Sequence, residues 1–297
     1  MKIVITGASG FIGRRLMKLL AGQGHRLHVL SRHAGTNLPA GVELSVWDPL
    51  RGPAPEGALC GADAVLHLAG EPVAQRWTAA ARQRIRASRV VGTRHLVTSL
   101  ASCSPRPPVL VCASAIGYYG SRGDEVLVEN SAPGSGFLAD VCVAWEQEAA
   151  NAEALGIRVT RIRIGIVLDP SGGALKPMLT PFRAGLGGPL GGGRQWMSWI
   201  HAGDLAEMFR FALEKPAPPV LNGVAPSAVT NADFTRALGA ALHRPAFFPV
   251  PALALRLLLG EMAELLLSSQ RVSPAAPEGA GFQFRHPELK GALADLL

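Results

Sequence analysis

The chain has 297 residues, of which 48% are hydrophobic and 17% charged, and its formal net charge is +7. A chain of this length and polarity can bury a large core, so we expect one or two globular domains. The arginines are dispersed and form no basic run interleaved with aromatic residues, so we expect no nucleic-acid partner. A phosphate-bearing ligand would suit the positive charge equally well.

The longest apolar stretch, PALALRLLLGEMAELLLSS, is interrupted by Arg256, Glu261 and Glu264. A membrane span needs roughly 18 to 20 uninterrupted apolar residues, so we interpret this stretch as an amphipathic helix. The first residues, MKIVITGASG, lack the charged, apolar and cleavage regions of a signal peptide. We therefore expect a cytoplasmic protein with no membrane partner, while its oligomeric state is left open.

The four cysteines, Cys60, Cys103, Cys112 and Cys142, show no paired spacing. Such spacing is typical of zinc sites and disulfide frameworks. We therefore predict neither, and expect the four thiols to be small buried hydrophobic side chains.

The first half of the chain alternates short apolar strands with helical segments. KIVIT predicts a first strand, which is followed by the glycine turn GASGFIG and by a helix with an apolar face. A helix is also predicted from about residue 78 to 101 and another at FLADVCVAWEQEAANAEALG. Further strands are predicted at HRLHVLSR, VELSVWD, ADAVLHLAG, PPVLVCASA and IRVTRIRIGIVL. This order predicts an α/β fold with a Rossmann-like, doubly wound parallel sheet.

Beyond residue 168, loops rich in glycine and proline separate the predicted elements. Helices are expected near residues 174–184 and 204–213, the second with Asp204 as its N-cap, and a later helix is expected after an N-cap at Thr230 or Asn231. We predict a dinucleotide-binding domain over residues 1–167, with a returning segment at about 198–213. A smaller C-terminal α+β lobe is predicted over residues 168–297.

Three glycines, Gly7, Gly10 and Gly13, lie between the first predicted strand and its helix. In that context the first glycine permits the tight turn, the second lets the backbone approach a pyrophosphate, and the third allows close helix packing. The amides of the helix N-terminus add donors and a favourable dipole. The pattern predicts a dinucleotide site, and the alternative is a glycine-rich turn without a ligand.

The end of the second strand indicates which dinucleotide binds. A site for NAD usually places Asp or Glu about 20 residues beyond the glycines, where it accepts hydrogen bonds from the ribose 2′-hydroxyl. Here that place holds Ser31 and Arg32. A guanidinium favours a 2′-phosphate, so we predict NADP as the cofactor. The alternative interpretation of Arg32 is a solvated surface side chain.

Several motifs together resemble one protein family over the whole length of the chain. They are TGASGFIG, HLAG, the YYG after CASA, WIHAGDLA, and the tail PALALRLLLGEMAELLLSSQRV. The chain resembles the extended short-chain dehydrogenase/reductase superfamily, in its atypical epimerase-like branch, whose members carry an NAD-dependent epimerase/dehydratase fold and a C-terminal domain of unknown function. The resemblance implies an NADP-binding fold with no assigned substrate.

The resemblance also implies which residues contact the cofactor. Arg84 and Arg89 would reach its ribose and phosphate region, although a solvated helix face is the alternative for both. Ile164 would line the nicotinamide side. The full set of predicted cofactor contacts is Gly7, Ser9, Gly10, Phe11, Ile12, Gly13, Ser31, Arg32, Leu68, Ala69, Gly70, Glu71, Arg84, Arg89, Ser114 and Ile164.

The catalytic pair of ordinary family members is missing. In those members a tyrosine hydroxyl exchanges a proton with the substrate, and a lysine four residues later lowers the tyrosine pKa and binds ribose. Here Cys142 and Glu146 take the two places. A glutamate would raise the pKa of a nearby phenol, and nothing in the sequence around Cys142 supplies a cation to form a thiolate. The usual chemistry is therefore lost.

Ser114, Tyr118 and Tyr119 are the remaining candidates for catalysis. Ser114 matches the general place of the family's catalytic serine, and the adjacent tyrosines follow it on a loop over the edge of the sheet where Rossmann substrates bind. Either tyrosine could replace the missing acid, and the alternative is that both merely pack the loop.

The second lobe adds Trp196, Trp199 and His201, which would approach the crevice if the family layout holds. His201 is either a proton carrier or a structural histidine. No metal site is predicted. Two functions remain open: an NADP(H)-binding oxidoreductase or epimerase of a small polar substrate, and a non-catalytic NADP(H)-binding sensor or scaffold.

Overall fold

A computed structural model describes residues 1–35 and 38–297 of the chain. Its strands are β1 (Lys2–Thr6), β2 (Arg26–Ser31), β3 (Glu43–Val46), β4 (Ala64–His67), β5 (Val109–Ala115), β6 (Val126–Leu127), β7 (Arg158–Ile164), β8 (Ile166–Asp169), β9 (Gly172–Gly173), β10 (Trp196–Met197), β11 (Trp199–His201), β12 (Val220–Gly223), β13 (Val229–Thr230) and β14 (Arg271–Val272).

The α-helices are α1 (Phe11–Gly22), α2 (Glu56–Leu59), α3 (Ala79–Ser102), α4 (Phe137–Ala150), α5 (Leu175–Arg183), α6 (Ala202–Glu214), α7 (Asn231–Ala241), α8 (Ala252–Leu259), α9 (Glu264–Leu267), α10 (Ala275–Gly279) and α11 (Leu289–Leu296). Short 3₁₀ turns cover Ile116–Tyr119, Asn151–Leu155 and Gly260–Ala263.

The central sheet has seven parallel strands in the order β12-β7-β5-β4-β1-β2-β3. Its two faces are covered by separate apolar cores, one that includes residues of α1 and α6 and one that includes residues of α3 and α4. Strands buried on both faces are apolar throughout, which explains the continuous apolar runs in the sequence. The predicted Rossmann-like α/β fold with its doubly wound sheet is confirmed.

The predicted sixth strand is in fact two strands that separate at Gly165. A Cβ atom on Gly165 would lie 2.5 Å from the Ser198 carbonyl oxygen, so only glycine lets the chain pass there. After this point β8 leaves the central sheet and pairs with β11. The edge strand β12, which pairs with β7, was not predicted.

Helix starts and breaks in the second half correct two predictions and confirm a third. Helix α6 begins at Ala202 with His201 as N-cap, because the His201 ring accepts from the Gly203 amide, so Asp204 is not the cap. Thr230 caps α7, accepting from the Asp233 amide. The single amphipathic helix expected after Pro251 is broken at Gly260, whose φ of 60° ends α8.

The cysteine prediction is partly wrong. Cys60 and Cys103, at the ends of α2 and α3, form a disulfide with a Cα–Cα distance of 5.0 Å. Cys112 and Cys142 are buried thiols, as expected. Over the described residues, no helix is both long and apolar enough to cross a membrane.

Candidate functional site

The glycine turn between β1 and α1 is closely packed against the neighbouring chain. Gly7 has a φ of 70°, and a Cβ atom there would lie 2.6 Å from the Leu68 carbonyl carbon. A Cβ atom on Gly13 would lie 2.4 Å from the Gly7 carbonyl oxygen. Gly10 is exposed and forms the N-cap of α1 without a capping side chain, so the first amides of the helix are left for solvent or a ligand. The turn therefore fits a pyrophosphate.

The glycine turn is also fixed to the second half of the chain. The ring of Phe11 packs on the β8–β9 hairpin, where a Cβ atom on Gly172 would come within 2.3 Å of it. Arg15 forms an ion pair with Asp169 of the same hairpin. Phe11 and Ile12 are partly buried against the core, whereas Ser9 is exposed. Any contact of Phe11 or Ile12 with a ligand would therefore come mainly from the backbone.

The residues predicted to select the cofactor lie at the C-terminal end of β2. Ser31 is the last residue of that strand, and its hydroxyl accepts from the His33 amide at 3.3 Å. The Arg32 side chain is exposed. Because β2 is the neighbour of β1 in the sheet, Arg32 stands on one side of the glycine turn.

A buried chain of hydrogen bonds fixes the backbone after β4, on the other side of the glycine turn. His67 bonds the Thr6 hydroxyl at 2.8 Å and the Thr93 hydroxyl at 3.0 Å. The Thr6 oxygen also accepts from the amides of Leu68 and Ala69, both at 3.2 Å. Burial lowers the pKa of His67 to about 4, so the ring is neutral at physiological pH. Sequence reasoning missed this chain, for which the one signal was a histidine inside an apolar strand.

The two arginines predicted on α3 are placed differently. Arg84 is about half exposed, donates to the Gln75 side chain at 3.2 Å and has its Nε 3.5 Å from Glu71 Oε1. Arg89 is partly buried, and its Nη1 donates to the carbonyl oxygens of Glu71 and Ile85.

Arg89 thus faces the segment after β4. Its guanidinium lies against Gly70 and over the Trp145 ring, 5.2 Å from the ring centroid. Burial lowers the pKa of Arg89. Among the described residues, Arg84 approaches this segment at the Glu71 carboxylate.

Cys142, which the resemblance sets in the place of the catalytic tyrosine, is a buried thiol. Burial, together with the nearby Glu146 carboxylate, raises the pKa of this thiol to about 12. A thiol with that pKa is almost never ionised at neutral pH, so it is a poor nucleophile. The 3₁₀ turn after β5 covers it, since a Cβ atom on Gly117 would lie 3.8 Å from Cys142 Sγ.

Glu146, in the place of the usual lysine, is the centre of a buried polar network. The Ser114 hydroxyl donates to Glu146 Oε1 at 2.6 Å. Arg163 donates from Nε to Oε1 and from Nη2 to Oε2, both at 2.8 Å. The Glu146 carboxylate is therefore already paired with the positive charge of Arg163.

Strand register explains why these side chains meet. Ser114 is paired with Arg163 across β5 and β7, and Arg163 is paired with Asn222 across β7 and β12. The three residues form a row across the sheet, and α4 places Glu146 over it. Arg163 and Asn222 were missed from the sequence, because their proximity depends on strand order that no local pattern reveals.

Tyr119 belongs to this network and is fully buried. Its hydroxyl donates to Asn222 Oδ1 at 2.7 Å and accepts from Arg163 Nη1 at 2.9 Å. Burial raises the pKa of Tyr119 although Arg163 opposes the effect. The prediction of Tyr119 as a proton donor is therefore corrected, because its hydroxyl is hydrogen-bonded to buried residues of the protein.

Tyr118 is only partly buried. Its ring lies under the Arg163 guanidinium, whose central carbon is 3.4 Å from the ring centroid. Ile164 is partly buried at the end of β7, and Ser114 is buried at the end of β5. These residues all lie at one edge of the sheet, the edge at which Rossmann folds bind ligands.

The residues expected from the second lobe all make contacts within the protein. Trp199 is fully buried and donates to the Ser227 carbonyl oxygen at 2.8 Å, so it does not face a crevice. Trp196 donates to Asp124 at 2.7 Å. His201 Nδ1 accepts the Gly203 amide, which places the proton of the neutral ring on Nε2, 3.2 Å from Asp295.

Comparison with known proteins agrees with this geometry. The family model described as NAD dependent epimerase/dehydratase family matches residues 3–223, and a domain of unknown function, DUF1731, matches residues 250–296. The Arabidopsis thaliana epimerase family protein SDR39U1 homolog, chloroplastic, is 40% identical over 311 residues, which cover 100% of this chain and 87% of the relative. The mouse epimerase family protein SDR39U1 is 38% identical, with 100% of both chains covered.

Two solved structures are similar at 35% identity. The crystal structure of human epimerase family protein SDR39U1 (isoform 2) with NADPH has a TM-score of 0.89 and covers 100% of this chain and 99% of its own. The nucleoside-diphosphate sugar epimerase from Corynebacterium glutamicum has a TM-score of 0.82 and covers 100% of this chain, which spans 58% of that longer protein. The chain therefore belongs to the NAD-dependent epimerase/dehydratase family.

Proposed function

We propose that this protein binds NADP(H) and acts as an oxidoreductase or epimerase on a small polar substrate. The observation that carries the proposal is the glycine turn, where Gly7 and Gly13 leave no room for a Cβ atom and the amides of α1 are left open. Such a turn costs conformational freedom and is retained where a backbone must approach a ligand. The human relative crystallised with NADPH supports the same cofactor.

The strand order divides the proposed cofactor site into two halves. Gly10 and the start of α1 would hold the pyrophosphate, and Arg32 beside β1 would pair with the 2′-phosphate of the adenosine half. The nicotinamide half would lie on the other side, over the ends of β4 and β5. When bound, NADPH supplies the hydride. The protein's own residues must orient the substrate and transfer a proton to it or from it.

Ser114 offers the substrate a hydrogen-bond acceptor. The Ser114 hydroxyl donates its hydrogen to the Glu146 carboxylate, which is also bonded by Arg163, so the lone pairs of the Ser114 oxygen are what remains for a ligand. A hydroxyl or an N–H group of the substrate suits such an oxygen. Tyr118 is then the phenol we propose as the proton donor or acceptor.

A second candidate function is a non-catalytic NADP(H) sensor or scaffold. The observation in its favour is that the places of the usual tyrosine and lysine hold a thiol with a pKa of about 12 and a carboxylate neutralised by Arg163. In both functions, a cytoplasmic location and the lack of a membrane or nucleic-acid partner stay predictions from the sequence.

The cofactor assignment is tested by calorimetric titration with NADPH and NADH. We expect the wild-type protein to bind NADPH at least about tenfold more tightly, because a bidentate charge-assisted contact contributes more than 1.4 kcal/mol. Arg32→Ala should lose this preference. Arg26→Ala is the matched control, since Arg26 is an exposed arginine at the opposite end of the same strand. Equal affinities in the wild type, or a preference kept by Arg32→Ala, would refute the assignment.

A further inference from the structure

A cavity of about 540 Å³ lies between the loop after β5 and the C-terminal helices. Ligand pockets in proteins typically have volumes of about 300–1,000 Å³, so this cavity can hold a small molecule. Ser121 forms one side of it, and the other side comes from residues 256–268, which lie in the part of the chain matched by the domain of unknown function. None of the lining residues is among the predicted cofactor contacts.

The cavity adjoins the loop that carries Tyr118. Ser121 lies three residues after Tyr118, so their Cα atoms are at most about 11 Å apart. The C-terminal segment is bonded to this loop: the Ser269 amide donates to Ser121 Oγ at 3.1 Å, and Gln270 Nε2 donates to two carbonyl oxygens of the loop, both at 2.9 Å. A ligand of moderate length can therefore bind in the cavity and approach the phenol that we propose as the proton donor or acceptor.

Two charged side chains in the wall of the cavity have no partner of opposite charge. Glu261 is paired with Arg82 of α3. Arg256 on α8 and Glu264 on α9 are exposed, and across the described part of the chain neither has an oppositely charged side chain within ion-pair distance. The cavity thus presents one guanidinium and one carboxylate that a ligand can contact.

These two charges discriminate between small ligands. A guanidinium binds a carboxylate through two charge-assisted hydrogen bonds, and a neutral ester offers it no charge to pair with. The Glu264 carboxylate accepts hydrogen bonds from hydroxyl groups and repels a second anion. The Ser121 oxygen accepts from the Ser269 amide, so the hydrogen of its hydroxyl is left to donate to a ligand oxygen.

We propose that this cavity binds the substrate, and that the substrate is a carbonyl compound with a single carboxylate, which Arg256 holds. The inference rests on the proposed oxidoreductase function. In the reaction the carbonyl carbon accepts the hydride and the carbonyl oxygen accepts the proton of the Tyr118 phenol, which regains a proton from solvent, so the product is a hydroxy acid. The domain of unknown function then has a role, because it supplies both charged side chains of the substrate site.

The test compares linear oxo acids of increasing length with their methyl esters, which lack the charge, and follows deuterium transfer from labelled NADPH. We expect the wild-type kcat/KM to be at least about tenfold higher for the acids than for their esters. Arg256→Met should abolish this preference, mainly through a higher KM for the acids, and Arg256→Lys should keep part of it because it keeps the charge. Arg183→Met is the control, since Arg183 is an exposed arginine at the end of α5 and does not line the cavity.

Glu264→Gln tests the second charge. We expect the wild-type protein to disfavour oxo acids with two carboxylates, because Glu264 repels the additional charge. The variant should raise kcat/KM for these dicarboxylates several-fold and leave the acids with one carboxylate almost unchanged. Unchanged discrimination in Glu264→Gln would overturn the part assigned to that residue.

Three further outcomes decide the inference. Esters reduced as well as the acids, or a preference for acids that Arg256→Met keeps, would overturn the inference while leaving the proposed function intact. An unchanged NADPH affinity in Arg256→Met, measured by calorimetry, would show that the loss of preference is not a folding defect. If the wild-type protein transferred deuterium to neither acids nor esters, the proposed oxidoreductase function would fail, and this inference with it.

Discussion

The Glu146 carboxylate and the Arg163 guanidinium form a two-point ion pair in the protein interior, with both N–O distances at 2.8 Å. Their side chains are only 9% and 4% exposed. Around the pair, Ser114 donates to the carboxylate and Tyr119 accepts from the guanidinium. Glu146 is thus one half of a self-contained structural unit.

Arg163→Met should destabilise the protein by about 3–5 kcal/mol, because it leaves a buried carboxylate without its cation. The double variant Arg163→Met/Glu146→Leu should cost clearly less than the sum of the two single changes, since no charge is then stranded. Urea unfolding of the four proteins measures this coupling. The surface pair Arg236 and Asp233, with both side chains exposed, is the control and should show a much smaller coupling. Additive costs for the buried pair would contradict the prediction.

Much of the fold follows from local sequence patterns. The strands β1, β2, β4 and β5 are each marked by an apolar run next to a turn or helix, and strands buried on both faces need such runs. The break at Gly165 and the edge strand β12 were missed for a common reason. Both depend on contacts between segments that are distant in sequence: Gly165 packs against Ser198, and β12 pairs with β7.

The residues of the candidate site were also predicted only in part. The motif residues, such as Gly7 and Gly13, were predicted because their constraint is local. The pair of Glu146 with Arg163 and the bond between Tyr119 and Asn222 join residues 17 and 103 positions apart. The disulfide between Cys60 and Cys103 spans 43 positions. Spacing alone carries no signal for such contacts, which arise from strand order and register.

His67 should make stability depend on pH. Its pKa is 6.5 in an unfolded chain and about 4 in the buried, hydrogen-bonded site. Between these values the unfolded state binds the extra proton, so stability is full above pH 6.5 and falls as the pH is lowered towards 4. From pH 7.5 to pH 5 we expect His67 alone to contribute a loss of about 2 kcal/mol. Urea unfolding at the two pH values measures the change.

His67→Gln is the control for this effect. It removes the titrating group, so the difference between pH 7.5 and pH 5 should shrink by that amount even if the variant is less stable at both. An unchanged pH dependence would show that other groups are responsible.

Gly10→Ala should separate folding from cofactor binding. A Cβ atom at this position meets only the Gly7 carbonyl oxygen, at 3.1 Å, so the protein should still fold. The added methyl group would stand on the exposed side of the turn and hold a pyrophosphate away, so NADPH affinity should fall at least tenfold. Gly22→Ala, where a Cβ atom meets nothing within 4 Å, is the control in the same helix. It should bind NADPH normally and be more stable by roughly 0.5–1 kcal/mol. Normal binding by folded Gly10→Ala would count against the phosphate site.

The two adjacent tyrosines should respond differently to the loss of their hydroxyl groups. Tyr119→Phe removes a buried hydroxyl that donates to Asn222 Oδ1 and accepts from Arg163 Nη1, and we expect it to lower the free energy of unfolding by about 1–3 kcal/mol. Tyr118→Phe keeps the ring under the Arg163 guanidinium, so its stability should change little. Its effect should instead be on proton transfer, because its ring is only partly buried and lies at the ligand-binding edge of the sheet. Thermal unfolding distinguishes the two.

Catalysis is followed as the transfer of deuterium from labelled NADPH to a panel of carbonyl compounds. We expect any turnover by the wild-type protein to fall at least about a hundredfold in Tyr118→Phe, the usual scale for loss of a general acid. Cys142→Ala should retain it, since a thiol with a pKa of about 12 takes no part. The opposite pattern, with turnover kept by Tyr118→Phe and lost by Cys142→Ala, would make the cysteine the catalytic group. Tight NADPH binding without transfer to any compound would favour the sensor, because a bound cofactor with no proton donor in reach can report on its redox state without reacting.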